Sequence, residues 1–250
     1  TFAPLVPTMY IGMLQHPDID KVDLTSINAC ISGSAPNPLE VIKEFESRTG
    51  AFILEGYGLT EASPVTHVNP FNPETRKVGS IGIPISDTLS RIVDLGDGVT
   101  EVELGKPGEL IIKGPQVMKG YLGRPDATAE TITDGWLHTG DIATMDDQGY
   151  TYIVDRKKDM IISGGYNIYP RDVEEVYFEH PKVIEATAIG IPHEKWGEAV
   201  KIYVVLKEGE TATQEEMIAY WDGKLAKYKW PIEVEFRDEL PKTNVGKVLK

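Results

Sequence analysis

The sequence is short of cysteine, of positive charge and of long apolar runs. One thiol, Cys30, cannot close an internal disulfide and points to a reducing, cytoplasmic compartment. Its setting, Ile27-Asn28-Ala29-Cys30-Ile31, is apolar, so a buried, inert thiol is expected rather than a nucleophile. Lys and Arg number 25 against 39 Asp and Glu, a net charge of -14. That is the reverse of the basic face nucleic-acid binding needs, so no nucleic-acid partner is expected. No run of about 18 apolar residues occurs, so no transmembrane helix is expected, and no secretory signal is visible. His138 has no partner at metal spacing; like His16, His67, His180 and His193 it reads as a packed or surface imidazole. The chain opens at Thr1-Phe2-Ala3-Pro4 without an initiator methionine and is expected to be a piece of something longer.

What remains is an ordinary globular composition, 250 residues with 41% apolar and 26% charged, enough for one large or two modest domains. Residues 1–25 read as loop and helix. Ile27–Ile31 reads as a strand and runs into the small-residue loop Ser32-Gly33-Ser34-Ala35-Pro36. A helix follows, with Asn37 as N-cap, Pro38 at its first position and Glu40 completing a capping-box-like pair; Gly50 stops it. Ala51–Leu54 is a second short strand. A strand–helix–strand unit of this kind is parallel, and its following loops leave the same sheet edge, where open α/β sheets bind ligands. Residues 78–135, rich in Gly and Pro with alternating runs such as Glu109-Leu110-Ile111-Ile112-Lys113, suggest a β-rich subdomain. The charged run Asp155-Arg156-Lys157-Lys158-Asp159 separates two apolar strands where the pattern changes, which marks a linker. Beyond it the order is helix, strand, strand, helix, strand, with Thr213 and Glu216 capping the second helix, which is expected to run to about Leu225. The fold class is therefore α/β: residues 1–155 as the later part of a large domain, a parallel α/β layer plus a β-rich subdomain, then residues 156–250 as a small α+β domain.

Two stretches have chemistry written into them. In Glu55-Gly56-Tyr57-Gly58-Leu59-Thr60-Glu61, glycines flank an aromatic face that can lie against a flat ring, with a hydroxyl and a carboxylate to meet a phosphate or Mg²⁺. On its own the stretch reads equally well as a Gly-rich turn with a solvated Glu. In Gly135-Trp136-Leu137-His138-Thr139-Gly140-Asp141, an Asp after Gly can accept from both hydroxyls of a ribose, or simply close an Asx turn at a loop tip. The glycine pair in Ser163-Gly164-Gly165-Tyr166 is a turn or a place where a ligand passes close to backbone. The tail Pro241-Lys242-Thr243-Asn244-Val245-Gly246-Lys247 is a polar loop with two lysines.

Taken in order, five of these stretches, Ser32–Pro36, Gly56–Glu61, Gly135–Asp141, Asp155–Asp159 and Pro241–Lys247, resemble the adenylate-forming enzymes, which include acyl-CoA synthetases, firefly luciferase and peptide-synthetase adenylation domains. Gly-Tyr-Gly-Leu-Thr-Glu-Ala-Ser-Pro-Val and Asp-Arg-Lys-Lys-Asp-Met-Ile are most similar to bacterial long-chain fatty acid–CoA ligases. The resemblance implies an ATP-dependent ligase that adenylates a fatty acid with ATP and Mg²⁺ and passes the acyl group to CoA. It implies Tyr57 against adenine, with Gly33, Ser34 and Ala35 on the other side and Glu55, Gly56 and Gly58 around it. Thr60 then meets phosphate, Glu61 holds Mg²⁺, and Asp141 binds the ribose, aided by Arg156. Lys158 falls at the family's hinge, Gly164 and Gly165 face the pantetheine arm, and Lys247 reaches in during adenylation. The family's upstream phosphate loop ending in Pro-Lys-Gly has no counterpart here, so the chain is expected to be a ligase fragment, inactive alone. A medium-chain or aryl acid–CoA ligase stays open, as does an inactive AMP- or acyl-adenylate-binding module. The resemblance also leaves room for peripheral membrane contact by the full-length protein.

Overall fold

A computed structural model of the chain describes residues 1–243 and 248–250, which fall into two compact units, Thr1–Ile153 and Val154–Lys250. The first opens with β1 (Phe2–Leu5), α1 (Pro7–Gln15), β2 (Ala29–Ser32), α2 (Leu39–Thr49), β3 (Phe52–Gly58), β4 (Val65–Val68) and β5 (Ile83–Pro84). These strands form one sheet in sequence order; β1, β2 and β3 run parallel, and β4 and β5 join antiparallel. The parallel strand–helix–strand reading of residues 27–54 holds. The reading of residues 1–25 as loop and helix misses β1, because Pro4 looks like a breaker. β1 is the edge strand, where a missing N–H is tolerated.

Helix α2 also starts differently. Pro38, extended at φ -56° and ψ 135°, occupies the cap position, no side chain caps the helix, and the Ile42 N–H donates to the Pro38 carbonyl at 3.1 Å. Asn37, expected to cap, is instead buried, with its amide unpaired among the described residues. At the other end Gly50 takes the left-handed conformation, φ 71°, and its N–H donates to Glu46. α1 and α2 bury Tyr10, Ile42 and Phe45 with Cys30 and Ile53 of the sheet, so Cys30 is the buried thiol expected.

Next come β6 (Leu89–Val93), β7 (Gly108–Lys113), α3 (Pro125–Thr131), β8 (Ile132–Thr133), β9 (Trp136–Met145) and β10 (Thr151–Arg156), the last running across the division at residue 153; these strands form a second sheet. Its order is β10-β9-β7-β6, with β8 paired to β9. Its core is Ile92, Leu110, Ile112 and Ala143, and Tyr57 of β3 and Leu59 just after that strand pack against it.

The second unit has β11 (Ile161–Ser163), β12 (Tyr166–Ile168), α4 (Pro170–Phe178), β13 (Val183–His193), β14 (Gly197–Leu206), α5 (Gln214–Ala219) and β15 (Glu233–Phe236). The sheet order is β12-β11-β14-β13, with β15 added parallel to β14. α5 ends earlier than Leu225, although its cap is as expected: the Thr213 hydroxyl accepts from the Glu216 N–H. One apolar cluster, from Ile161 on β11 to Trp221 and Val234, fills the space between sheet and helices.

Candidate active site

The site grows from the register of β2 and β3. Ser32 pairs with Glu55, so the loops after these positions leave the same edge. A methyl group added to Gly33 would sit 3.6 Å from the Gly56 carbonyl oxygen, which makes the two stretches neighbours. Next to Gly33, Ser34 adopts φ 72°, unusual for a residue with a side chain, and is exposed. Ala35 is half-buried.

Glu55–Gly58 is strand, not loop: β3 continues through it and pairs with β4, Gly56 opposite Val68 and Tyr57 opposite His67. Strand alternation puts Glu55 and Tyr57 on one face and the two glycines on the other. The Glu55 carboxylate accepts from the Gly79 N–H at 2.6 Å, and its carbonyl from the Asn69 N–H at 3.0 Å. The turn that follows is tight. The Leu59 N–H reaches the Pro64 carbonyl at 2.9 Å, and a side chain on Gly58 would come within 2.1 Å of that same oxygen. Gly58 is thus required by the chain's own backbone.

Thr60 and Glu61 ride on that turn, Thr60 exposed and Glu61 half-buried. The Tyr121 hydroxyl donates to Glu61 Oε1 at 2.8 Å, and the Met118 N–H donates to the Glu61 carbonyl at 2.7 Å. The bond to Glu61 pushes the Tyr121 phenol above its ordinary pKa. Among the described residues no group of three or more His, Cys, Asp or Glu is assembled that could hold a metal. A lone carboxylate still fits Mg²⁺, which commonly takes one or two carboxylates, waters and substrate phosphates.

Tyr57 and Asp141, 84 residues apart, meet: the Tyr57 hydroxyl donates to Asp141 Oδ2 at 2.5 Å. Asp141 lies within β9 rather than at a loop tip. His67, fully buried, stands edge-on to Tyr57 with ring centres 6.2 Å apart and its Nδ1 3.0 Å from Thr66 Oγ1. Burial lowers its pKa to about 4, so it is neutral at pH 7.

The remaining expected residues belong to the second unit or lie outside the described residues. Arg156 and Lys158 belong to the second unit, at the end of β10 and in the turn after it; the Asp159 and Met160 N–H groups donate to the Arg156 carbonyl. Gly164 and Gly165, at φ 58° and 85°, form the two-residue turn joining β11 to β12, where both central positions must be left-handed. Lys247 lies outside the described residues. Sequence reasoning passed over Tyr121 and Glu109. Tyr121 stands among turn residues with no local signal. Glu109 looks like the solvent-facing charge of an alternating strand, yet β7 is buried on both faces from Gly108 to Ile112.

Comparison with known proteins adds findings of three kinds. The family model described as AMP-binding enzyme matches residues 1–122, and that described as AMP-binding enzyme C-terminal domain matches residues 172–247. The long-chain-fatty-acid–CoA ligase of Bacillus subtilis (strain 168) is 52% identical over 253 residues, covering 100% of this chain and 44% of the relative. Feruloyl-CoA synthase of an Amycolatopsis species is 44% identical over 98% of this chain and 49% of its own length. The structure of ATP-bound MatB from Rhodopseudomonas palustris superposes with a TM-score of 0.93 at 36% identity, over 99% of this chain and 49% of that one. The chain spans about half the length of the curated relatives it matches.

Proposed function

We propose that this chain, which belongs to the AMP-binding enzyme family, carries the adenylate crevice and the small second domain of an ATP-dependent fatty acid–CoA ligase. The observation that carries this reading is the junction of Tyr57 and Asp141, an aromatic face and a diol-accepting carboxylate joined at 2.5 Å beside the Gly33–Ala35 loop. The 52% identity to a long-chain-fatty-acid–CoA ligase supports a fatty acid as the acid.

The reaction needs little covalent help from protein. A carboxylate oxygen attacks the α-phosphorus of ATP, the bond to pyrophosphate breaks, and an acyl-adenylate remains. The thiol sulfur of CoA then attacks the acyl carbonyl, and AMP departs with the bonding electrons. Anion attacking anion calls for positioning and positive charge. Tyr57 holds the adenine plane, with the backbone of Gly33, Ser34 and Ala35 as the opposite wall. Asp141 accepts from the ribose hydroxyls, with Arg156 assisting. Thr60 donates to phosphate oxygen, and Glu61, steadied by Tyr121, is the protein's ligand for the cation. Bound Mg²⁺ supplies positive charge on the phosphates. Lys247 is assigned to adenylation, Gly164 and Gly165 to the path of the pantetheine arm, and residues 155–159, with Lys158, to a hinge between domains divided near residue 155.

A second reading, an aryl acid–CoA ligase, rests on the 44% identity to feruloyl-CoA synthase. Supplying ATP, Mg²⁺ and CoA with palmitate or ferulate to the full-length parent protein separates them. Palmitoyl-CoA with equimolar AMP is the expected product. Turnover of ferulate alone would install the aryl reading. Binding of AMP by calorimetry with no turnover of any acid would reduce the protein to an adenylate-binding module.

A further inference from the structure

We infer that Glu109 is a positioning residue whose buried carboxylate holds the strand bulge that aims Asp141 at Tyr57. The case starts from the pairing of β7 and β9. Ile111 pairs with His138 and Glu109 with Ile142, so a single residue of β7, Leu110, stands opposite Thr139-Gly140-Asp141. The ladder cannot serve these extra residues, and such bulges re-aim a side chain. Gly140 takes up the bend at φ 70°.

Three bonds hold the bulge. The Thr139 hydroxyl donates to the Leu110 carbonyl at 2.7 Å, and the Asp141 N–H donates to Thr139 Oγ1 at 3.1 Å. The Gly140 N–H donates to Glu109 Oε1 at 3.1 Å, while His138 Nδ1 lies 3.4 Å from Glu109 Oε2. Glu109 is only 4% exposed. Burying a carboxylate costs several kcal/mol unless hydrogen bonds and charge meet it, and packing alone would be served as well by an apolar side chain. Its position is therefore explained by what it accepts, the N–H immediately before Asp141. Through the Gly140 N–H it acts on the backbone that leads into Asp141.

The functional consequence rests on the reading of Asp141 as the ribose acceptor, and the test keeps the two claims apart. Glu109→Ala removes the acceptor; Glu109→Gln keeps an oxygen for the Gly140 N–H and removes the charge. Hydrogen exchange of the Gly140 amide is measured in the full chain without nucleotide, and AMP affinity by calorimetry. In Glu109→Ala, exchange at Gly140 should quicken at least about tenfold and AMP affinity fall about tenfold, the scale of one hydrogen bond to a charged group. Glu109→Gln should restore both to within about threefold of the parent. Should Glu109→Ala fail to fold, Thr139→Val cuts the other tether with Glu109 in place, and faster Gly140 exchange is again expected. Unchanged exchange in Glu109→Ala or Thr139→Val overturns the inference, as does a Gln variant no better than Ala. Absence of AMP binding by the parent chain would instead refute the nucleotide reading, with the exchange result still deciding the role of Glu109.

Discussion

The interiors of the two units differ in what holds each one together. Among the described residues the second, at 97 residues, concentrates thirteen buried apolar side chains in one cluster around Trp221, Tyr177 and Ile202. The first is larger, yet its clustered buried apolar residues split into groups of six and four, with others such as Leu137 and Ile142 outside both. Its distant segments are joined by polar contacts: Tyr57 to Asp141, Tyr121 to Glu61, Glu109 to Gly140, and Arg76 in a bidentate pair with Glu46 at 2.7 Å. Apolar packing fixes a fold and tolerates small shifts in shape. Hydrogen bonds fix single atoms, which is what a crevice for a polar ligand needs. The second unit has long-range polar contacts as well, such as the Ala188 N–H to the Glu174 carboxylate at 2.8 Å, but its clustered apolar core is undivided.

Substitutions can sharpen or break that contrast. The largest effect is expected at Trp221, fully buried in the single core. Trp221→Ala in Val154–Lys250 expressed alone should cost about 3–5 kcal/mol of stability by urea unfolding. A loss under about 1 kcal/mol would mean the cluster is not the source of that unit's cohesion.

Next comes His67 in the first unit. Unfolded, it takes up a proton near pH 6.5; folded, only near pH 4. Between those values the unfolded state binds more protons, so acid favours unfolding. Stability from this residue should be complete above about pH 6.5 and decline by roughly 3 kcal/mol as pH falls to about 4. Subtracting the pH profile of His67→Gln isolates the term, and parallel profiles would disprove the burial assignment.

Tyr57→Phe keeps the ring and deletes the donor to Asp141. A bond to a charged acceptor is worth about 1.5–3 kcal/mol, so the first unit's unfolding midpoint should drop accordingly. The smallest effect is expected at Thr213→Ala, which removes a cap worth about 1 kcal/mol in the second unit. If Thr213→Ala proved costlier than Tyr57→Phe, the division between packed and cross-linked units would not stand.

Local pattern was enough for much of this fold. The parallel β2–α2–β3 unit, the Thr213 cap and the element order after Pro170 follow from periodicity and capping chemistry, which act over a few residues. The site motifs were also visible, because glycines, an aromatic and carboxylates crowded together are uncommon. What stayed hidden depends on distant partners. Glu55–Gly58 looks like a loop until β4 is known to lie beside it. Asp141 looks like a turn residue until the bulge opposite Leu110 is seen. Pro4 looks like a breaker unless its strand is known to be an edge. Tyr121 has no reason to be singled out before Glu61 is placed against it.

The most direct measurement is a crystal structure of the chain with AMP bound. The expected result is adenine against the ring of Tyr57 and both ribose hydroxyls within hydrogen-bonding distance of the Asp141 carboxylate. AMP lodged elsewhere, with the Tyr57–Asp141 bond undisturbed and solvent alone around it, would contradict the assignment of this crevice to a nucleotide.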